Sequence, residues 1–166
     1  MARSAKLLLP ALLLALSSCD RGEQQEAPSP DPESAPVTEP ALNFPDSDGR
    51  IHTPFAADDR KATVLIFLMN DCPVANASAP ALARVCADFE SRGVVFYGIY
   101  TTETAEEITA HRRDYGLPFP GLLDPDLELA ELSGATRVPE AAVFAPSGAL
   151  LYRGRIDDRA VSLGVV

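Results

Sequence analysis

Two unbroken apolar runs with a helical pattern between them dominate residues 42–166 of this chain. Thr63-Val64-Leu65-Ile66-Phe67-Leu68-Met69 and Gly93-Val94-Val95-Phe96-Tyr97-Gly98-Ile99-Tyr100 are rich in branched and aromatic residues. Continuous rather than alternating hydrophobicity predicts strands covered on both faces, as in a central sheet. From Pro73 to about Arg92 the period changes: Leu82, Val85, Cys86 and Phe89 recur at i, i+3, i+4 and i+7 and predict the buried stripe of a helix. Pro73 suits the first turn and Gly93 the stop. Strand, helix and strand then make a right-handed crossover between parallel neighbours.

The flanking segments complete the sheet. Asp46-Ser47-Asp48-Gly49 is a turn signal between Leu42–Phe44 and Arg50–Thr53, which predicts an opening hairpin. Thr104–Tyr115 reads as an amphipathic helix ended by Gly116, and Leu117-Pro118-Phe119-Pro120 as a bend. Asp126–Leu132 suits a short helix ending at Gly134. Ala141–Ala145, the turn Pro146-Ser147-Gly148 and Ala149–Arg153 predict a closing antiparallel hairpin. The sum is an α/β domain, a mixed β-sheet flanked by helices.

The first forty residues have a different character. Arg3 and Lys6 precede the apolar run Leu7–Leu16, and Leu16-Ser17-Ser18-Cys19 supplies small residues at a cleavage point, the plan of a secretory signal over residues 1–19. Ten apolar positions fall short of the ~20 that span a bilayer. Leu-Ser-Ser-Cys resembles the bacterial lipobox, which implies that Cys19 is lipidated and anchors the protein to a membrane facing the periplasm. The alternative, a plain secretory signal, leaves Cys19 as a lone thiol in an oxidising compartment. Residues 20–41 hold five of the fifteen prolines among Ser, Gln and Glu, and cannot bury enough surface to fold. They read as an extended tether of roughly 3 Å per residue. Six acids there against Arg21 account for −5 of the formal −10. The remaining domain is acidic as well, so nucleic acid is not an expected partner.

Candidate chemistry centres on Cys72, which falls where the first strong strand gives way to a helix. Free N–H groups and the dipole of a helix N-terminus favour a thiolate, while the adjacent Asp71 carboxylate opposes one. Pro73 and Val74 form the helix start beside it.

Four features together resemble the redoxin branch of the thioredoxin superfamily, the group of alkyl hydroperoxide reductase/thiol-specific antioxidant proteins and periplasmic thiol–disulfide oxidoreductases. They are the strand into Asn70-Asp71-Cys72-Pro73, Pro80 eight residues after the cysteine, Val138-Pro139 before a strand, and the Pro146-Ser147-Gly148 hairpin. The resemblance implies a thioredoxin-like fold, Cys72 as nucleophile, and a cis peptide at Val138-Pro139 that shapes a substrate-docking loop. It also implies a C-terminal helix after the last hairpin, for which the eight residues beyond Asp158 leave little room. Either that helix is missing or the sequence is truncated; without it the sheet near Leu150 and Tyr152 is expected to be partly exposed.

The departures from the family pattern are specific. Ala75 stands where a thioredoxin has its second, resolving cysteine. Cys86 lies fourteen residues along the same helix, roughly 21 Å away at 1.5 Å per residue, too far for a disulfide; it reads as a core residue. Met69 stands where peroxiredoxins place Thr or Ser, and Pro139, with Arg137 two residues earlier, where they carry an arginine. Copper-delivering relatives use two cysteines and a distant histidine; here only Cys72, His52 and His111 are on offer, and His111, within Ala110-His111-Arg112-Arg113, reads as part of a solvated helix face. Arg153, Arg155, Asp157 and Asp158 read as a solvated strand end, with a substrate clamp as the less favoured alternative.

The expectation is a membrane-tethered, extracytoplasmic redox protein with one nucleophilic cysteine and neither metal nor cofactor. Its partners would be a protein or small-molecule thiol, a disulfide or a peroxide. The same fold without turnover, as a binding or metal-handling module, is the alternative.

Overall fold

A computed structural model describes residues 42–56 and 58–157. The expected leader, Cys19, the tether and the segment from Asp158, where a closing helix would begin, lie outside the described residues. Among the described residues ten elements follow one another: β1 (Phe44–Pro45), β2 (Ile51–His52), β3 (Ala62–Phe67), α1 (Pro73–Glu90), β4 (Val94–Tyr100), α2 (Ala105–Tyr115), β5 (Gly121–Leu123), α3 (Glu128–Ser133), β6 (Glu140–Phe144) and β7 (Leu150–Gly154). Five strands form one sheet in the order β5-β4-β3-β6-β7. The β3–β4 and β4–β5 pairs are parallel, and β6 and β7 run antiparallel to their neighbours. This is the mixed α/β sheet expected from the sequence.

The apolar run of β3 is continuous because its alternate side chains enter two different cores. Ile66 and Leu68 pack with Ala79, Leu82, Phe96, Tyr100 and Ile108, beneath α1 and α2. Leu65 and Phe67 pack on the opposite face with Phe44, Ile99, Leu122, Leu129 and Phe144, beneath α3 and the β1–β2 hairpin. Each such fully buried side chain contributes about 1.5–3 kcal/mol.

Three expectations need correction. Leu122 and its neighbours form β5, a strand that the bend signal at Leu117–Pro120 hid; Gly121, Leu122 and Leu123 pair with Gly98, Ile99 and Tyr100. In α1 the buried stripe is Ala75, Ser78, Ala79, Leu82 and Cys86, whereas Val85 and Phe89 are exposed, Phe89 lying under the Arg92 guanidinium. Small residues toward the N-terminus let the helix sit close on the sheet and turn the stripe in their direction. His111 is not solvated but buried, at 5% exposure.

Local signals set the ends of α2. Thr104 and Glu107 form a reciprocal capping box, and Gly116 closes the helix in the left-handed conformation at φ 63°. In the opening turn the buried Asp46 carboxylate accepts the backbone N–H groups of Asp48 and Arg50 and contacts His52 Nε2 at 2.7 Å. At the opposite edge, Leu150 and Tyr152 of β7 are 46% and 48% exposed.

Candidate active site

The loop that leaves β3 is held tightly before it reaches Cys72. Leu68 N–H donates to Ile99 O at 3.0 Å, extending the β3–β4 pairing, and Cys72 N–H donates to Met69 O at 3.2 Å. Cys72 then occupies the N-cap of α1 with extended backbone (φ −80°, ψ 109°), and Pro73 follows at the start of the helix. Pro73 has no N–H to offer, and no side chain caps this end. The positive end of an 18-residue helix, with no acid in its first turn, is therefore left to the residue at the cap. Cys72 is half-buried against the α1/α2 core, and Asp71 is exposed.

Neither other position in α1 supplies a second thiol to this end. Ala75 is 2% exposed and packs into the core one turn below Cys72. Cys86 is 4% exposed near the far end of the same unbroken helix, and both cysteines are free. Burial, and then the Glu90 carboxylate, push the Cys86 thiol pKa up, which keeps it protonated and inert.

The Val138–Pro139 peptide is cis. Val138 and Pro139 line a cleft of about 220 Å³ together with Val74 and Ser78 of α1 and Arg137, Arg155, Ile156 and Asp157. Of the sequence-derived residues, Val74 and the Val138-Pro139 loop line one cleft; Cys72 and Pro73 immediately precede Val74 at the start of α1 and are not among the residues that line it. Arg155 and Asp157, expected as a solvated strand end in preference to a substrate clamp, are on its wall, whereas Arg153 donates to Gly134 O at 2.5 Å.

A buried polar chain behind the loop was not foreseen. Tyr100 Oη lies 2.8 Å from His111 Nδ1, and His111 Nε2 lies 2.8 Å from Asn76 Oδ1. Asn76 Nδ2 donates to Asn70 O at 3.0 Å. Burial lowers the pKa of His111, against the opposing pull of Glu103 and Asp114, and burial raises that of Tyr100. The one sequence signal was the placement of His111 three residues after Ile108, on the same helical stripe. His52 is engaged elsewhere, by Asp46 and edge-on to Tyr97. Among the described residues no three His, Cys, Asp or Glu side chains gather in a way that could hold a metal ion.

Residues 37–153 match the model of the AhpC/TSA family. The chain belongs to that family. No curated protein matches it by sequence. Among solved structures, this AhpC/TSA protein is similar to a hypothetical protein from Sinorhizobium meliloti, with 27% identity over 75% of this chain and 72% of that one and a TM-score of 0.66. A secreted disulfide oxidoreductase from Mycobacterium tuberculosis shares the fold at 24% identity, covering 66% of this chain and 80% of that one with a TM-score of 0.57. A thiol-disulfide oxidoreductase from Bacteroides fragilis shares it at 18% identity, covering 72% and 90% with a TM-score of 0.62. The fold is thioredoxin-like, and the family is one of thiol-based redox proteins.

Proposed function

We propose that this AhpC/TSA protein is a membrane-tethered, extracytoplasmic oxidoreductase that works through one nucleophilic thiol, Cys72, on external thiols and disulfides. The observation that carries the reading is the contrast within α1: one half-buried cysteine at an uncapped N-terminus, alanine where a resolving thiol would be, and the other cysteine sealed in the core. The Cys72 thiolate attacks one sulfur of an external disulfide. That S–S bond breaks, the leaving thiolate departs with the electron pair and takes a proton from solvent, and a mixed disulfide remains. A second external thiol then attacks the mixed disulfide, forms a new external disulfide and returns Cys72 as thiolate. The cleft formed by Val74, Val138 and Pro139 is where a partner segment would lie. Peroxide, which would take Cys72 to the sulfenic acid, is the less favoured oxidant because Met69 offers no hydroxyl at the position where peroxiredoxins have one. Lipidation at Cys19 and an extended tether over residues 20–41 would hold the domain outside the cytoplasm, and among the described residues no helix is long and apolar enough to cross a membrane.

Treatment of the full chain with glutathione disulfide, or with mild peroxide, followed by peptide mapping, tests the reading. A mixed disulfide or sulfenic acid should form on Cys72, be removed by a small thiol, and be absent in Cys72→Ser. Modification of Cys72 no faster than Cys86 would sink it and leave a binding module.

A further inference from the structure

We infer that His111 and Asn76 are positioning residues for Cys72, clamping the peptide that carries the thiol through a one-directional hydrogen-bond chain that ends on Asn70. The inference rests on the reading of Cys72 as the reactive thiol.

The direction of the chain follows from what each atom can do. The Asn70 carbonyl can only accept, so the Asn76 amide must present its nitrogen to it, at 3.0 Å. That turns Asn76 Oδ1 toward His111, and an amide oxygen also only accepts, so His111 Nε2 carries the proton of the 2.8 Å bond. In a neutral ring Nδ1 is then bare and accepts from the Tyr100 hydroxyl at 2.8 Å. Tyr100 O–H, His111, Asn76 and Asn70 O form a single line of donation in which every polar atom of the imidazole is satisfied. The ring is edge-on to Tyr100 and tilted against Tyr115, with centroids 5.7 and 5.0 Å away. It cannot swing to other partners.

What the chain holds is the approach to the thiol. Asn76 touches the chain on both sides of Cys72: its side chain takes Asn70 O, and its backbone N–H donates to Cys72 O at 3.0 Å. The other side of the Asn70 residue is also fixed, since its N–H donates to Glu103 Oε1 at 3.0 Å. Pro80 gives this arrangement its importance. Having no N–H, it cannot bond the carbonyl of Asn76 four residues earlier, so the first turn of α1 is tied to the rest of its helix by one bond fewer. Side-chain contacts from α2 and β4 make up the rigidity that the helix lacks where it presents Cys72.

The test is the rate of Cys72 alkylation by iodoacetamide in the full chain across pH 5–10, read by peptide mapping with Cys86 as internal reference, beside the urea midpoint of each protein. Asn76→Ala and His111→Leu should slow Cys72 at pH 7 by about five- to tenfold and move the midpoint of its rate–pH curve upward. His111→Gln keeps a nitrogen donor toward Asn76 and should return the rate to within about twofold of the parent. Tyr100→Phe, which removes only a hydroxyl and preserves packing, should give an intermediate loss and serves if the larger changes fail to fold. Leu129→Val, which trims the core on the opposite face, should lower the urea midpoint but leave the Cys72 curve in place. An unchanged Cys72 curve in folded Asn76→Ala or Tyr100→Phe overturns the inference while leaving the proposed function standing, as does an equal slowing in Leu129→Val. Parent Cys72 no faster than Cys86 removes both.

Discussion

Glu103 and Asn70, thirty-three residues apart, meet at the top of the sheet, where the Glu103 carboxylate accepts the Asn70 backbone N–H at 3.0 Å. Its second oxygen takes the N–H and hydroxyl of Thr102, at 3.3 and 3.2 Å, so the carboxylate joins the turn after β4 to the loop after β3. A backbone N–H that leaves a parallel strand must find some acceptor, and here a side chain from the neighbouring strand's turn supplies it.

Removal of that acceptor has a definite expected cost. Glu103→Ala leaves a part-buried N–H without its partner and should lower the unfolding free energy by about 1–2 kcal/mol. Glu103→Gln retains an acceptor oxygen and should lose less than half as much. Urea denaturation of the two variants beside the parent measures the difference.

The buried His111 should make the domain sensitive to acid. Its pKa is lowered by burial from the usual 6.5, so between 6.5 and the lower folded value the unfolded chain binds more protons than the folded one. The contribution of the neutral ring to stability is therefore complete above about pH 6.5 and is lost as pH falls toward the folded value. Urea midpoints between pH 7.5 and 5 should drop more steeply in the parent than in His111→Gln, which cannot titrate. Parallel slopes would contradict this account.

At the β5 edge a glycine is required by its neighbours. Gly121 pairs with Gly98, and a Cβ on it would collide with the Ile108 side chain and come within 3.1 Å of Arg112 Cδ and Tyr100 Cε2. Ile108 is fully buried and cannot retreat without disturbing the core. Gly121→Ala should cost about 1–3 kcal/mol, seen as a fall in the midpoint of thermal unfolding.

Lipidation is testable apart from the redox chemistry. In a bacterial host given labelled palmitate, the full chain should take up label and sediment with membranes, and Cys19→Ser should abolish both while leaving Cys72 alkylation unchanged. Label retained in Cys19→Ser would exclude Cys19 as the acylated residue.

Much of the architecture was legible because it depends on neighbours in sequence. The run Thr63–Met69 read as a doubly covered strand, Pro73 and Gly93 bracketed a helix, and Val138-Pro139 and Pro146-Ser147-Gly148 marked the loop before β6 and the closing hairpin. The placement of Cys72 at a helix N-terminus followed from the same local signals. The stripe of α1 was half right: Leu82 and Cys86 belong to both possible stripes, and a 3.6-residue period alone does not say whether the helix rolls toward Ala75 and Ala79 or toward Val85 and Phe89.

The sequence by itself determined the order of the strands and helices other than β5, the glycine and proline stops, and the cysteine at the junction of strand and helix, since each rests on steric and hydrophobic preferences acting within a few residues. Tertiary structure alone decided that Gly121–Leu123 is a strand, because three residues pair only when the β4 edge offers them partners. It also decided the fate of His111. A histidine among Ala110, Arg112 and Arg113 looks solvated until α1 and α2 pack on one face of the sheet, where Asn76 and Tyr100 give both ring nitrogens a hydrogen bond that offsets the cost of leaving water.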